Sequence, residues 1–249
     1  MTQHKLIGIA QSPWTQKALW ALDVCGIPYT FEHYVPTLQE PALRLRTRAF
    51  RGAVSVPVLL GVGSPVWGAP AIASFASRAC LERTGAMPLG DLDAAAAWSA
   101  LSDAALAEGR QRVTSAYLAE PTAQTELVPP FFPRALRSSL RFLVRDALRR
   151  VERKYGHLVS PGALVDALDK TRQQLLASGG EFLLGQFSYA DIAMASVLEV
   201  VSPLEARLVP RGKRSRQLWS EPTLAAEYAD LLHWRARLIA KTLPAFVRR

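Results

Sequence analysis

The pattern of this chain changes once, at residues 84–91, and that change limits the folds open to it. Before it, short apolar runs alternate with helical stripes; after it only helical spacing occurs. "KLIGIA", residues 5–10, is an apolar run bounded by Gln11, Ser12 and Pro13, which fits a buried strand. A helix follows with Ala18, Leu19, Ala21, Leu22 and Cys25 on its apolar stripe. "CGIP" stops it, with Gly26 in the left-handed position and Pro28 just beyond. "YTFEHYV", residues 29–35, alternates aromatic and polar side chains as a second strand does. A Pro- and Arg-rich segment reads as an irregular helix and "SVPVLLGVGSPVWG" as a hairpin around Gly61 and Gly63. A helix from near Pro70 carries Ile72, Phe75 and Ala79. The order is β-α-β-α-β-β-α.

"ERTGAMPLGDLD" then loses all periodicity and reads as a linker. Helical spacing covers 92–119, 133–155, 161–178, 189–201 and 223–241, with Gly156, Gly179-Gly180 and Pro203 as stops. The 249 residues are enough for two units, each with its own core. The expected division is an α/β unit at 1–83, a linker at 84–91 and an all-helical unit at 92–249. A hydrophobic fraction of 49% and a charged fraction of 20% exclude a disordered chain.

A formal net charge of +9 admits anionic ligands, nucleic acid or membrane surfaces as partners. The arginines gather in "RLRTRAFR" (44–51) and "RALRSSLRFLVRDALRRVERK" (134–154). In the second, Arg134, Arg137, Arg141, Arg145 and Arg149 form one helix face, while Leu136, Leu140, Leu143, Val144, Ala147 and Val151 line the other. That pattern predicts an amphipathic core helix with a solvated basic stripe. Phe142 is the one aromatic inside it before Tyr155, so the stacking residues of a nucleic-acid face are missing and nucleic acid is not the expected partner. Cys25 and Cys80 have no spacing for a disulfide or a metal and are expected free; the four histidines show no metal pattern either. The N-terminal apolar stretch is short for a secretory signal and no run reaches membrane-span length, so a soluble cytoplasmic protein is expected.

The element order and three local stretches resemble the glutathione S-transferase superfamily. "SPWTQKALWALDVCGIPYTFEHYV" is similar to its first helix and second strand, "SVPVLL" to its cis-proline segment, and "GQFSYADIAMA" to the start of its buried C-terminal helix. The last has its own physical content: Ser188 and Asp191 make an S-x-x-D capping box, with Phe187 stapling onto Ile192. The resemblance implies a thioredoxin-like N-terminal domain, an all-helical C-terminal domain and a homodimer. It implies glutathione as co-substrate, without a metal, and a small hydrophobic electrophile as acceptor. It also implies a cis Val56–Pro57 bond that turns the Val56 backbone toward the peptide, and Ser12 as the residue that meets the sulfur. Ser12 before Pro13 is equally an N-cap with proline at the first helical position, and the two roles are compatible. Thr15 is a second hydroxyl in the same turn. A serine at position 12, where some relatives carry cysteine, argues against disulfide exchange.

Two positions depart from the family. Gly68 and Ala69 stand where an acidic residue or glutamine followed by serine grips the γ-glutamyl end, and Ser55 stands where a lysine often meets the glycyl carboxylate. Each lost charge-assisted contact costs about 1.5–3 kcal/mol, so two losses weaken glutathione about a hundredfold to ten-thousandfold. Arg44, Arg46, Arg48 and Arg51 are candidate replacements for the lysine. Trp14, Trp67, Tyr117, Phe131 and Phe132 are candidate walls of the acceptor pocket. The resemblance therefore implies a transferase that activates the glutathione thiol for conjugation or isomerisation. The alternative is a non-catalytic binding module of the same fold.

Overall fold

The structure is a computed structural model. It describes residues 4–129, 132–205, 209 and 211–242, with Arg134 and Leu158 described by their backbone alone. Strand β1 (His4–Gly8) buries Leu6 and Ile7 and pairs in parallel with β2 (Tyr29–His33), Leu6 opposite Phe31. The crossover between them is α1 (Pro13–Val24). It stops where the sequence predicts: Gly26 takes φ +60° and the Ile27 N–H returns to the Leu22 carbonyl at 2.9 Å. After α2 (Glu40–Thr47), β3 (Val58–Leu60) runs antiparallel to β1 and β4 (Val66–Trp67) antiparallel to β3. The sheet order is β2-β1-β3-β4, and α3 (Ala69–Thr84) packs against α1.

Beyond Trp67 no strand occurs among the described residues. Helix α4 (Leu92–Ala119) is followed by α5 (Pro121–Glu126), α6 (Arg134–Arg137), α7 (Arg141–Tyr155) and α8 (Ala163–Ala177). Then come α9 (Tyr189–Val197), α10 (Lys213–Trp219), α11 (Pro222–Glu227) and α12 (Ala229–Thr242). This is the expected fold: a small mixed sheet with helices, then a helical remainder. Helix α9 is the centre of that remainder, buried at every residue and packed on α1, α4 and α8. One hydrophobic core joins Leu6, Leu22 and Ile72 to Leu106, Tyr189 and Ile192, so the two halves share an interior. Gly109 permits a close approach to it, since a Cβ there would stand 2.5 Å from Val200 Cγ2.

Three expectations need correction. Helices α5 and α10 begin at Pro121 and Lys213, where the sequence shows no helical stripe; each is too short for periodicity to register. The stretch 133–155 is two helices broken at residues 138–140, where Ser138 and Ser139 favour turns over helix interior. And α7 is no core helix: none of its residues is buried, and Phe142 and Leu143 are 65% and 50% exposed. Its inner stripe touches α4 and α5 without being covered by a further layer. No described helix is long and apolar enough to cross a membrane.

Candidate active site

Strand directions gather the candidate residues at one end of the sheet. Ile7 pairs with Val58 and Val58 with Trp67, in antiparallel registers, while β1 and β2 run parallel. The residues after β1 (Gln11, Ser12), after β2 (Tyr34), before β3 (Val56, Pro57) and after β4 (Gly68) therefore converge.

Ser12 occupies the N-cap position of α1 in extended conformation, with Pro13 at the first helical position. Its backbone is used: the N–H donates to Ile9 O at 2.9 Å and the carbonyl accepts from Gln16 N–H at 3.0 Å. Its side chain makes no cap bond, which corrects the expected capping role. Thus the half-buried hydroxyl is unspent, beside first-turn N–H groups that a helix leaves unpaired. Thr15 is fully buried, and its Oγ1 accepts from Ile9 N–H at 3.2 Å, so it ties α1 to the end of β1 instead of facing the cleft.

The Val56–Pro57 bond is cis, and the Pro57 carbonyl accepts from Gly68 N–H at 2.9 Å. Neither the N–H nor the C=O of Val56 is taken by another described residue, and Val56 is half-buried. A strand edge is thereby left for an extended peptide. Ser55 is exposed. Gly68 caps α3 at φ +81°, a conformation suited to glycine, and a Cβ there would meet nothing closer than Pro70 Cδ at 4.0 Å. The space for a larger side chain exists but is unused; Ala69 is 1% exposed and offers only its backbone.

Of the four arginines near α2, Arg44 is committed to Glu40 and to the carbonyls of Ala49 and Gly52, and Arg46 to Glu32. Arg48 and Arg51 are exposed. The cation that reaches the proline loop comes from α7: Lys154 Nζ donates to Val54 O at 2.8 Å. No local pattern marked it, because the pair lies 100 residues apart in sequence.

On the helical side, Trp14 Nε1 donates to Asp103 Oδ1 at 2.8 Å, and the same oxygen accepts from Lys17 Nζ at 2.6 Å. Lys17 is fully buried and also donates to Ser102 Oγ; burial pulls its ammonium below the ordinary lysine value, and Asp103 pulls it back. Arg110 of α4 lies over the Trp14 ring at 4.7 Å and over the Tyr155 ring at 4.1 Å. Of the other expected wall residues, Tyr117 is 4% exposed and packs with Val113 and Ala123, with no face left for a ligand. Trp67 packs beside Val58. Phe132 is half-buried in the α5–α6 connection, its carbonyl accepting from Arg137 Nε, and Phe131 lies outside the described residues. A cavity of about 480 Å3 lies away from Ser12, among Thr122, Thr125, Glu126, Arg137, Ser138 and Arg141.

A buried ionic cluster holds the α1 entrance from behind. Arg211 Nη2 donates to Gln11 O at 2.6 Å, and Arg211 Nη1 to Glu199 Oε2 at 2.8 Å; Glu199 Oε1 takes Leu204 N–H and Arg235 Nη1. Arg211 also stacks on Trp219 at 4.4 Å. Arg211 and Glu199 are 2% and 1% exposed in their side chains, so the pairing is nearly unscreened. Cys25 and Cys80 are free and buried, and burial pushes the Cys25 thiol up to about 12, so it holds its proton at neutral pH.

Residues 11–79 match the family described as glutathione S-transferase, N-terminal domain. The chain is similar in fold to a glutathione S-transferase of Methylobacterium radiotolerans in complex with glutathione sulfonate: 20% identity, 99% of this chain and 95% of that one, TM-score 0.54. It also resembles the Tau class glutathione S-transferase of mango, Mangifera indica (16% identity, 96% and 89% covered, TM-score 0.50). A third likeness is to the nitrogen regulation fragment of the yeast prion protein Ure2p (14% identity, 99% and 96% covered, TM-score 0.51). No curated protein matches. Residues 11–79 thus carry the sequence match to a glutathione S-transferase N-terminal domain, and the chain as a whole has the fold of these structures.

Proposed function

We propose that this chain binds glutathione along the Val56 edge and presents its sulfur at the start of α1 to a small electrophile, as a glutathione transferase. One observation carries the reading: Ser12 stands at a helix N-terminus with its hydroxyl unspent. In that place Ser12 Oγ donates to the sulfur, and the positive end of α1 favours thiolate over thiol. Val56 supplies a backbone donor and acceptor to the cysteinyl main chain, and Ser12 remains a donor, never the nucleophile. The reading includes the division at 84–91, with the thiol peptide on 1–83 and the acceptor wall on 92–249, and a cytoplasmic homodimer. Binding of glutathione and derivatives by structural neighbours supports it. Calorimetry with glutathione tests it: a millimolar or tighter isotherm is expected, and a silent one on folded protein removes it.

A second reading has its own observation. Gly68 and Ala69 offer the γ-glutamyl end no side-chain donor or acceptor, which favours a binding module of this fold without glutathione chemistry. A silent glutathione isotherm with retained fold would move the conclusion there.

A further inference from the structure

We propose that Arg110 is an anion receptor on the acceptor side of the site, so that the ligand opposite the thiol carries a carboxylate; this names the acceptor class within the transferase reading above. The guanidinium carbon lies over two aromatic rings, 4.7 Å from the centre of Trp14 and 4.1 Å from the centre of Tyr155, in a half-buried setting. Contacts with ring faces of this kind are not hydrogen bonds to a conventional acceptor, so they leave the N–H donors to be satisfied elsewhere. Among the described residues those donors have no acceptor: Arg110 makes no hydrogen bond and no ion pair. The two carboxylates that border it do not take it. Asp103 spends Oδ1 on Trp14 and Lys17, and Glu152, which shares a small crevice with Arg110 and Tyr155, makes no ion pair with it.

An arginine fixed in orientation with its fork unspent matches a planar carboxylate, which takes two parallel N–H bonds. Lys154 adds positive charge, its Nζ 4.9 Å from the centre of the same Tyr155 ring. The location gives the receptor its meaning. Trp14 is two residues after Ser12 on α1, so the arginine stacked on it borders the turn where the sulfur is presented, on the side of α4. Burial lowers the guanidinium's pKa while Tyr155 and Asp103 raise it; an arginine stays charged throughout the neutral range.

The test is a pair of calorimetric titrations, benzoate against its neutral isostere benzamide, run beside glutathione on the same full-length protein. Wild type should bind benzoate about tenfold to a hundredfold tighter than benzamide, the value of a charged fork contact. Arg110→Gln should erase that preference, and Arg110→Lys should keep only part of it. If Arg110→Gln does not fold, protection of wild-type Arg110 from phenylglyoxal by benzoate and not by benzamide, read by peptide mass, replaces it. Equal affinity of wild type for the two probes, a preference that survives Arg110→Gln, or absence of protection overturns the assignment. A silent glutathione isotherm with the benzoate preference intact would instead remove the transferase reading and leave the receptor standing.

Discussion

Among the described residues two serines begin helices, and they are treated in opposite ways. Ser188, at the entrance to α9, is 1% exposed and fully spent: its N–H and its hydroxyl both donate to Asp191 Oδ2, at 2.8 and 2.9 Å. Asp191 Oδ1 accepts from Leu183 N–H at 2.8 Å as well, so one carboxylate closes both the helix start and the loop before it. Burial raises the Asp191 pKa and these bonds pull it back. Ser12, at the entrance to α1, is half-buried and its hydroxyl is bonded to nothing in the turn. Its backbone is steadied instead by Arg211, which reaches the Gln11 carbonyl from the far end of the chain. The first helix start is closed by local residues and serves folding. The second is held from a distance, and its hydroxyl stays uncommitted.

The comparison breaks most sharply at the distant support. Glu199→Gln would leave Arg211 and Arg235 buried without their counter-charge and should cost about 3–5 kcal/mol in urea unfolding. A loss below about 1 kcal/mol would show that the cluster supports nothing. Next in size, Ser12→Ala should lower transferase turnover about tenfold to a hundredfold, the value of one hydrogen bond to an anion, with stability unchanged within about 0.5 kcal/mol. Ser188→Ala should reverse that outcome, costing about 1 kcal/mol of stability and leaving turnover per folded molecule alone. Equal effects at both serines would end the contrast. Ala69→Ser, which restores a hydroxyl at the start of α3, should tighten glutathione about tenfold by calorimetry; no gain would mean the γ-glutamyl end lies elsewhere.

The smallest expected effect concerns an exposed contact that involves neither serine. The Arg172 hydrogen bond holds the Asp230 carboxyl below the usual carboxylate range. Because the folded value is depressed, its contribution is complete above the unfolded aspartate pKa of about 3.9 and is lost as pH falls through the lower folded value. Its size should stay below about 1 kcal/mol, since the pair is solvent-screened. Asp230→Asn should therefore leave stability at pH 7 nearly unchanged and remove only a slight acid dependence, measured by thermal unfolding between pH 2 and pH 5 as an order-of-magnitude window.

What was legible in the sequence follows the same division between local and distant. The capping box, the glycine stop after α1 and the bounds of α4 are written in neighbouring residues, and the structure has them where the spacing placed them. The Val56–Pro57 bond came by resemblance and is cis. Periodicity located the helix around residues 141–155 but not its burial, because an apolar stripe says which residues share a face and not how many layers cover it. The burial of Thr15 and Tyr117 was illegible for a related reason: a residue type near a site says nothing about the direction of its side chain. Arg110, Lys154 and Arg211 were missed outright. Their partners Trp14, Val54 and Gln11 are brought to them only by the packing of α4, of α7 and of the segment before α10.

Gly109 gives that packing an unexpected reach. A single methyl at this position would act as a wedge, since it would fall 2.5 Å from Val200 and drive α4 off its neighbour. The next residue along the helix is Arg110, which lies over Trp14 and Tyr155, so a shift of α4 would be felt at that contact. The spacing between α4 and Val200 is thus set by a hydrogen atom, at the residue next to Arg110.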